Sequence, residues 1–277
     1  MTQHSMFSIE TVAAEIRRVT FSNPPVNVVG ADTVAQLSEV VDELSADDRV
    51  QVVIFDSSTP DYFFNHADLG QMPELLAQSA ADSTPLFVDL SIRLTNAPFI
   101  SIASIRGRTR GGGNELTLAF DLRYASREQA IFCQPEAAIG IVPGGGGSDR
   151  LARLLGRDRA LEAIATSQDY DADQAERYGW VTRALPDAEL DDFVDAVAAR
   201  IASFDKAALA QAKAQINRAT LPPDADLRAA WAEFAELVTR PGFQARIPLI
   251  GKLIAEVGLD EVERNLGHYA GIANQQA

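Results

Sequence analysis

Three consecutive glycines, Gly111-Gly112-Gly113, stand between an extended run and an apolar helix-forming segment, and this placement restricts the fold more than any other feature of the chain. Pro98 opens the run Phe99 to Ile105, which reads as a strand, and a helix is expected from about Gly112 to Phe120. Residues without a Cβ let another backbone, or a substrate atom, approach such a turn closely. A second glycine run, Gly144 to Gly147, follows Ile141-Val142-Pro143 and opens another helix. Strand, glycine turn and helix thus recur, which is the pattern of an α/β core.

The rest of the chain fits that frame. Phe7 to Glu10 and Glu15 to Phe21 alternate and read as a hairpin, ended by Asn23-Pro24-Pro25. Asp32 is expected to cap a helix carrying Val34, Leu37, Val40, Val41 and Leu44. Val50 to Phe55 is a near-continuous β-branched run, as in a strand buried on both faces. Phe87 to Leu94 reads as helix, and Leu122 to Ala125 and Ala130 to Cys133 as short strands. Beyond Gly146 helices dominate: one with a Leu151, Leu154 and Leu155 face, then Ala160 to Thr166 and Asp173 to Tyr178. Trp180-Val181 reads as an extended piece, and long helices follow over 187–201 and 207–219 and from Phe243 to His268. The last seventy or so residues look like a helical appendage on the core.

Composition removes several functions. The net charge is −15, with an isoelectric point near 4.6, which disfavours phosphate backbones and anionic membranes as partners. Cys133 is the only cysteine, so no internal disulfide forms and a reducing, cytoplasmic setting is expected. No apolar run approaches the ~20 residues of a membrane span, and Met1 to Glu10 lacks the pattern of a signal peptide. His4, His66 and His268 show no metal-ligand spacing. No Lys-Ser or Lys-Thr follows Gly147, so this is not a phosphate-binding loop, and no Gly-x-Ser-x-Gly elbow occurs.

The glycine segments carry carboxylates. Glu115 lies in the first helical turn after Gly113, and Glu136 follows Gln134-Pro135. Taken singly, Glu115 is a charge near a helix start and Glu136 a loop carboxylate. Taken together, they suit an acid–base pair, with backbone N–H groups ready to hold an oxyanion. Cys133, in an apolar strand, reads as core rather than as a nucleophile.

Several ordered stretches resemble the crotonase superfamily, also called the enoyl-CoA hydratase/isomerase family. They are Asn23-Pro24-Pro25-Val26-Asn27, Phe63-Phe64-Asn65-His66-Ala67-Asp68-Leu69, Gly111 to Asp121, Phe132 to Glu136, and Gly140 to Gly147. The resemblance spans roughly residues 7 to 205 and implies an α/β spiral core of repeated ββα units over 1–200. A helical region over 201–277 would then mediate trimerisation, giving a homotrimer or a dimer of trimers. It further implies an acyl-CoA substrate and no metal or redox cofactor, with coenzyme A present only as part of the substrate thioester. The amides of Ala67 and Gly112 would form the oxyanion hole. Glu115 and Glu136 match the two catalytic glutamates of the hydratases, with Glu115 expected as base for the water and Glu136 as donor to the α-carbon. Asp68, Gly111, Pro143 and Gly144 would face the substrate.

Two departures from the family pattern stand out. His66 occupies a position usually held by glycine, where it could narrow the acyl pocket, bond a polar acyl group or point outward. Arg106, Arg108 and Arg110 replace small or apolar residues. Their spacing of two would put them on one side of an extended segment, either as a solvated edge or as a phosphate or carboxylate clamp using Arg108 and Arg110. From Leu221 on the resemblance fades, and Phe243, Arg246 and Lys252 are candidates for the nucleotide end of CoA. The expected activity is hydration of a 2-enoyl-CoA to a 3-hydroxyacyl-CoA, a hydro-lyase reaction. Double-bond isomerisation, C–C cleavage or hydrolysis, decarboxylation, or a non-catalytic acyl-CoA-binding role are the alternatives.

Overall fold

The computed structural model describes residues 5–276. His4 therefore lies outside the described residues. The chain opens with a hairpin of β1 (Phe7–Ala13) and β2 (Ile16–Phe21), followed by α1 (Ala31–Ala46) and β3 (Val52–Ser57). Next come α2 (Met72–Ala77), α3 (Leu86–Asn96), β4 (Ile100–Ile105), β5 (Arg108–Arg110) and α4 (Gly111–Thr117). After β6 (Leu122–Ser126) and β7 (Ile131–Cys133), α5 (Gly147–Leu155) and α6 (Arg157–Thr166) lead to β8 (Tyr170–Asp171), α7 (Ala172–Tyr178) and β9 (Arg183–Leu185). The remainder is helical: α8 (Asp187–Ala202), α9 (Lys206–Thr220), α10 (Asp224–Val238), α11 (Pro241–Val257), α12 (Leu259–Arg264) and α13 (Leu266–Gln276).

Two sheets share these strands. The larger runs β1-β2-β3-β4-β6-β9, antiparallel only at the first pair, and the smaller runs β5-β7-β8. Each turn of the chain therefore sends one strand to each sheet and then a helix, as in β4-β5-α4 and β6-β7-α5. An earlier, reduced turn is visible where Tyr62, after β3, bridges Arg108 of β5. This is the spiral of ββα units, with the small sheet placed beside the glycine turns.

β3 explains why its sequence is apolar at every position. Val53 and Phe55 enter the main core with α1 and α3, while Val52 and Ile54 face Leu190, Val194 and Ala198 of α8. Helix α9 docks through Lys213, whose buried ammonium donates to the carbonyls of Ala97 and Phe99 and to Asp121. Helix α10 docks through Trp231, stacked on Phe87 of α3 at 5.5 Å.

Several local expectations are corrected. Gly30, not Asp32, precedes the first helical residue of α1, and Asp32 sits inside the first turn. Leu154 is exposed, leaving Leu151 and Leu155 as the buried face of α5. Trp180 and Val181 form a bend after the left-handed Gly179, and pairing resumes only at Arg183. The side chain of Trp180 is buried, so its apolar character serves the core rather than a strand.

Candidate active site

A cavity of about 440 Å³ opens beside the glycine turns, with a largely aliphatic and aromatic lining. Ala67, Gly112, Glu115 and Glu136 all face it, together with His66, Asp68 and Gly144. Gly111, Pro143, Arg108 and Arg110 do not.

One wall is a backbone slot. Val29 bridges Ala67, accepting from the Asp68 amide and donating to the His66 carbonyl. The intervening Ala67 amide therefore points the other way, towards the first turn of α4. There, a Cβ built on Gly112 would lie 3.6 Å from the Ala67 nitrogen. Two amides thus face one space, and Gly112 belongs to a helical turn whose amides have no intrahelical partner. Gly113 is glycine for a different reason. A Cβ there would come within 2.0 Å of the Asn65 carbonyl oxygen, so it lets α4 lie directly on the segment carrying Ala67.

The two carboxylates are fixed separately. Glu115 Oε1 accepts from the amides of Gly145 and Gly147 at 2.8 and 2.7 Å. The second glycine run, expected as another wall of the substrate site, therefore spends two of its amides on Glu115. Glu136 Oε2 accepts from Gln134 Nε2 at 3.0 Å. Gln134 in turn accepts from Asn114, which accepts from the Trp180 indole at 2.9 Å. This buried relay, Trp180–Asn114–Gln134–Glu136, escaped the sequence reading. Its only trace there is the polar Asn114 and Gln134 beside the carboxylates in otherwise apolar segments.

Both glutamates are buried, at 4% and 7% exposure, and this governs their protonation. Burial first, and then the charge of Glu136, raises the Glu115 pKa well above the carboxylate range, against the pull of the Gly145 and Gly147 amides. Burial also raises that of Glu136, offset in part by its own backbone, Gln134 and the charge of His66. Two such carboxyls in one dry site cannot both ionise easily, so near neutral pH the pair retains a proton. One member can then accept a proton while the other delivers one.

The three arginines have different partners. Arg106 pairs with Asp187 and Asp191 of α8. Arg110 is fully buried and pairs with Asp169. Arg108 lies over the Tyr62 ring, 5.7 Å from its centroid. The left-handed Gly107 turns the chain between Arg106 and Arg108, so Arg106 is separated from the other two. Of the C-terminal candidates, Phe243 is buried in the main core, and Arg246 bonds Gly242 and Asn274.

The cover was the feature least visible in the sequence. Helices α11, α12 and α13 of the same chain line the cavity through residues such as Ile250, Leu253, Val262, Leu266 and Ala270. The C-terminal region is thus part of the site as well as an appendage to the core. It also brings in Glu263, whose carboxylate meets His66 Nε2 at 2.7 Å.

A backbone slot and two buried carboxylates thus share one apolar cavity. The profile of the enoyl-CoA hydratase/isomerase family matches residues 11–240, and the chain belongs to that family. It is 33% identical over 201 residues to the short-chain-enoyl-CoA hydratase of Clostridium acetobutylicum, covering 72% of this chain and 77% of that protein. It is 32% identical to the crotonyl-CoA hydratase of Syntrophomonas wolfei over the same shares. Among solved structures, a Streptomyces avermitilis protein shares 42% identity at a TM-score of 0.91, covering 98% of both chains. An enoyl-CoA hydratase from Mycobacterium avium subsp. paratuberculosis shares 25% at a TM-score of 0.79, covering 88% of this chain and 98% of that one.

Proposed function

We propose that the protein is an enoyl-CoA hydratase, a hydro-lyase that adds water across the 2,3 double bond of a 2-enoyl-CoA to give a 3-hydroxyacyl-CoA. The observation that carries this reading is the pair Glu115 and Glu136, both buried and both facing the Ala67–Gly112 slot. The thioester oxygen sits between the two amides, which stabilise the charge that grows on it as the enolate forms. That polarisation makes carbon 3 electrophilic. Glu115 takes a proton from a water held by the pair, the water oxygen bonds to carbon 3, and Glu136 returns a proton to carbon 2. The relatives named for short-chain and crotonyl substrates support the same reaction.

The acyl group is apolar. Phe87, Ile139, Phe234, Ile250 and Val262 supply the lining, and both ring nitrogens of His66 already have partners. The recognition of a polar acyl substituent by His66 is therefore not favoured. The reaction is written with no cofactor beyond the CoA of the substrate. The assembly is a homotrimer or a dimer of trimers, with residues 201–277 contributing to its interfaces, and the setting is the cytoplasm and fatty acid metabolism. No helix among the described residues is long and apolar enough to cross a membrane.

The test is mass-resolved analysis of a short 2-enoyl-CoA after incubation with the protein. Hydration gives a product heavier by one water. A product of unchanged mass would mean isomerisation, and loss of carbon dioxide or free CoA would mean decarboxylation or thioester hydrolysis.

A further inference from the structure

His66 and Glu263 stand apart from the acid–base pair. The His66 ring places Nδ1 2.9 Å from the carbonyl oxygen of Ala67 and Nε2 2.7 Å from Glu263 Oε1. A carbonyl and a carboxylate oxygen are both acceptors, so each ring nitrogen carries a hydrogen and the ring is an imidazolium. Glu263 is itself buried, at 3% exposure, and is fully engaged. Its Oε2 accepts from Asn65 Nδ2 at 2.9 Å, and its backbone carbonyl accepts from Arg110 Nη1 at 2.5 Å.

The positions of these partners matter. Asn65 and His66 immediately precede Ala67. Arg110 immediately precedes Gly111-Gly112. The Glu263 side chain therefore grips the segment ahead of Ala67, while its backbone carbonyl holds Arg110 ahead of Gly111-Gly112. Glu263 lies in α11–α13, past residue 240 where the family profile stops matching.

We propose that Glu263 is a positioning residue for the reaction, its side chain fixing the Asn65-His66 segment ahead of the Ala67 amide and holding an imidazolium at His66 beside the slot. The proposal rests on the hydratase reading for the step it assists. A fixed cation beside a water-poor slot favours negative charge developing there, and it also favours the ionised form of Glu136. The charged and titratable groups facing the pair are Arg110, Asp169, Glu136 and Tyr62. Burial works against a charged ring, but the charge and hydrogen bond of Glu263 outweigh it and raise the His66 pKa. Burial likewise opposes ionisation of Glu263, yet His66, Asn65 and Arg110 bring its carboxyl down to about 2.

The test uses the full chain with Glu263→Gln, Glu263→Ala and His66→Gln. Turnover of a short 2-enoyl-CoA is split into kcat and KM and followed across pH, and the His66 ring is titrated by proton NMR. Glu263→Gln, which keeps the size of the side chain and an acceptor for Asn65, is expected to lower kcat about 10- to 100-fold with KM moved little, as for small misplacements of catalytic groups. Its alkaline limb should move to lower pH as the imidazolium loses its partner. His66→Gln added to Glu263→Gln should cost little more, since the two act as one unit. A kcat within about twofold of wild type in Glu263→Gln and Glu263→Ala, with an unmoved pH profile, would overturn the proposal, whatever happens to the melting temperature. The ring titration is independent of turnover. If the wild type hydrates no thioester, the functional reading fails. Even then, a His66 ring charged well above the ordinary ~6.5 in wild type and returning towards it in Glu263→Gln upholds the ion pair. A wild-type ring titrating at the ordinary value overturns it.

Discussion

Two of the regions lining the cavity differ in kind, the glycine-rich wall of residues 111–147 and the helical cover of residues 241–276. On the wall, backbone atoms do the work. Amides line the slot and hold Glu115, and α4 touches the Ala67 segment so closely that Gly113 has no room for a Cβ. On the cover, side chains do it. Ile250, Leu253, Val262 and Ala270 need only be apolar and of suitable size, a requirement many residues meet. Close backbone approach admits one residue type, whereas a lipophilic lid admits several.

Gly113 is where the wall tolerates a side chain least. Alanine there would meet two carbonyls at 2.0 and 2.2 Å. Gly113→Ala is expected to cost more than the ~1–3 kcal/mol of ordinary overpacking, because the obstacle is backbone. Chemical denaturation would show loss of the folded state or a sharply lower midpoint. Its neighbour should behave in the opposite way. Gly112 has no left-handed backbone, and its Cβ would make only ordinary contact with Ala67. Gly112→Ala should therefore keep or slightly raise stability, as alanine does in a helix. By filling the slot, it should lower kcat about 10²–10³-fold, the size of a lost oxyanion donor. Equal loss of stability in both variants would mean that Gly112 is only a packing residue.

The wall also predicts a trade of stability for function. The folded state raises the Glu115 and Glu136 pKa values, so it binds protons more tightly than the unfolded chain does. Their contribution is fully present below the unfolded carboxylate value of 4.5 and is lost as pH rises through the raised range. Glu115→Gln removes that loss. It should melt with the wild type at about pH 4 and above it at about pH 9, which thermal unfolding across pH would check. Identical melting curves at both values would contradict the protonated pair. The smallest effect is expected on the cover. Val262→Ala should raise KM for a short apolar 2-enoyl-CoA about threefold to fivefold with kcat little changed, from ~1 kcal/mol of lost apolar contact.

This contrast accounts for what the sequence could tell. The β3 run and the strand–glycine–helix repeats disclosed an α/β core, because burial on both faces and tight turns each demand particular residues, and the family resemblance added its spiral form. Glu115 and Glu136 were legible as carboxylates in apolar or glycine-rich settings. Spacing placed Arg106 with Arg108 and Arg110 because it assumed a continuous strand, and Gly107 turns the chain between Arg106 and Arg108. The role of His66 was left open because its partner lies 197 residues away, on a short helix with no motif of its own. Nor could spacing show that Gly145 and Gly147 serve Glu115 rather than the substrate, since both uses require the same exposed amides.

The central claim is that Glu115 and Glu136 share one water at the Ala67–Gly112 slot. The most direct measurement incubates a short 2-enoyl-CoA in heavy-oxygen water with wild type, Glu115→Gln and Glu136→Gln, and locates the label by mass spectrometry. The account predicts labelled 3-hydroxyacyl-CoA from the wild type, and a loss of at least about 10²-fold in each variant with the fold intact. Full labelling by either glutamine variant would contradict it.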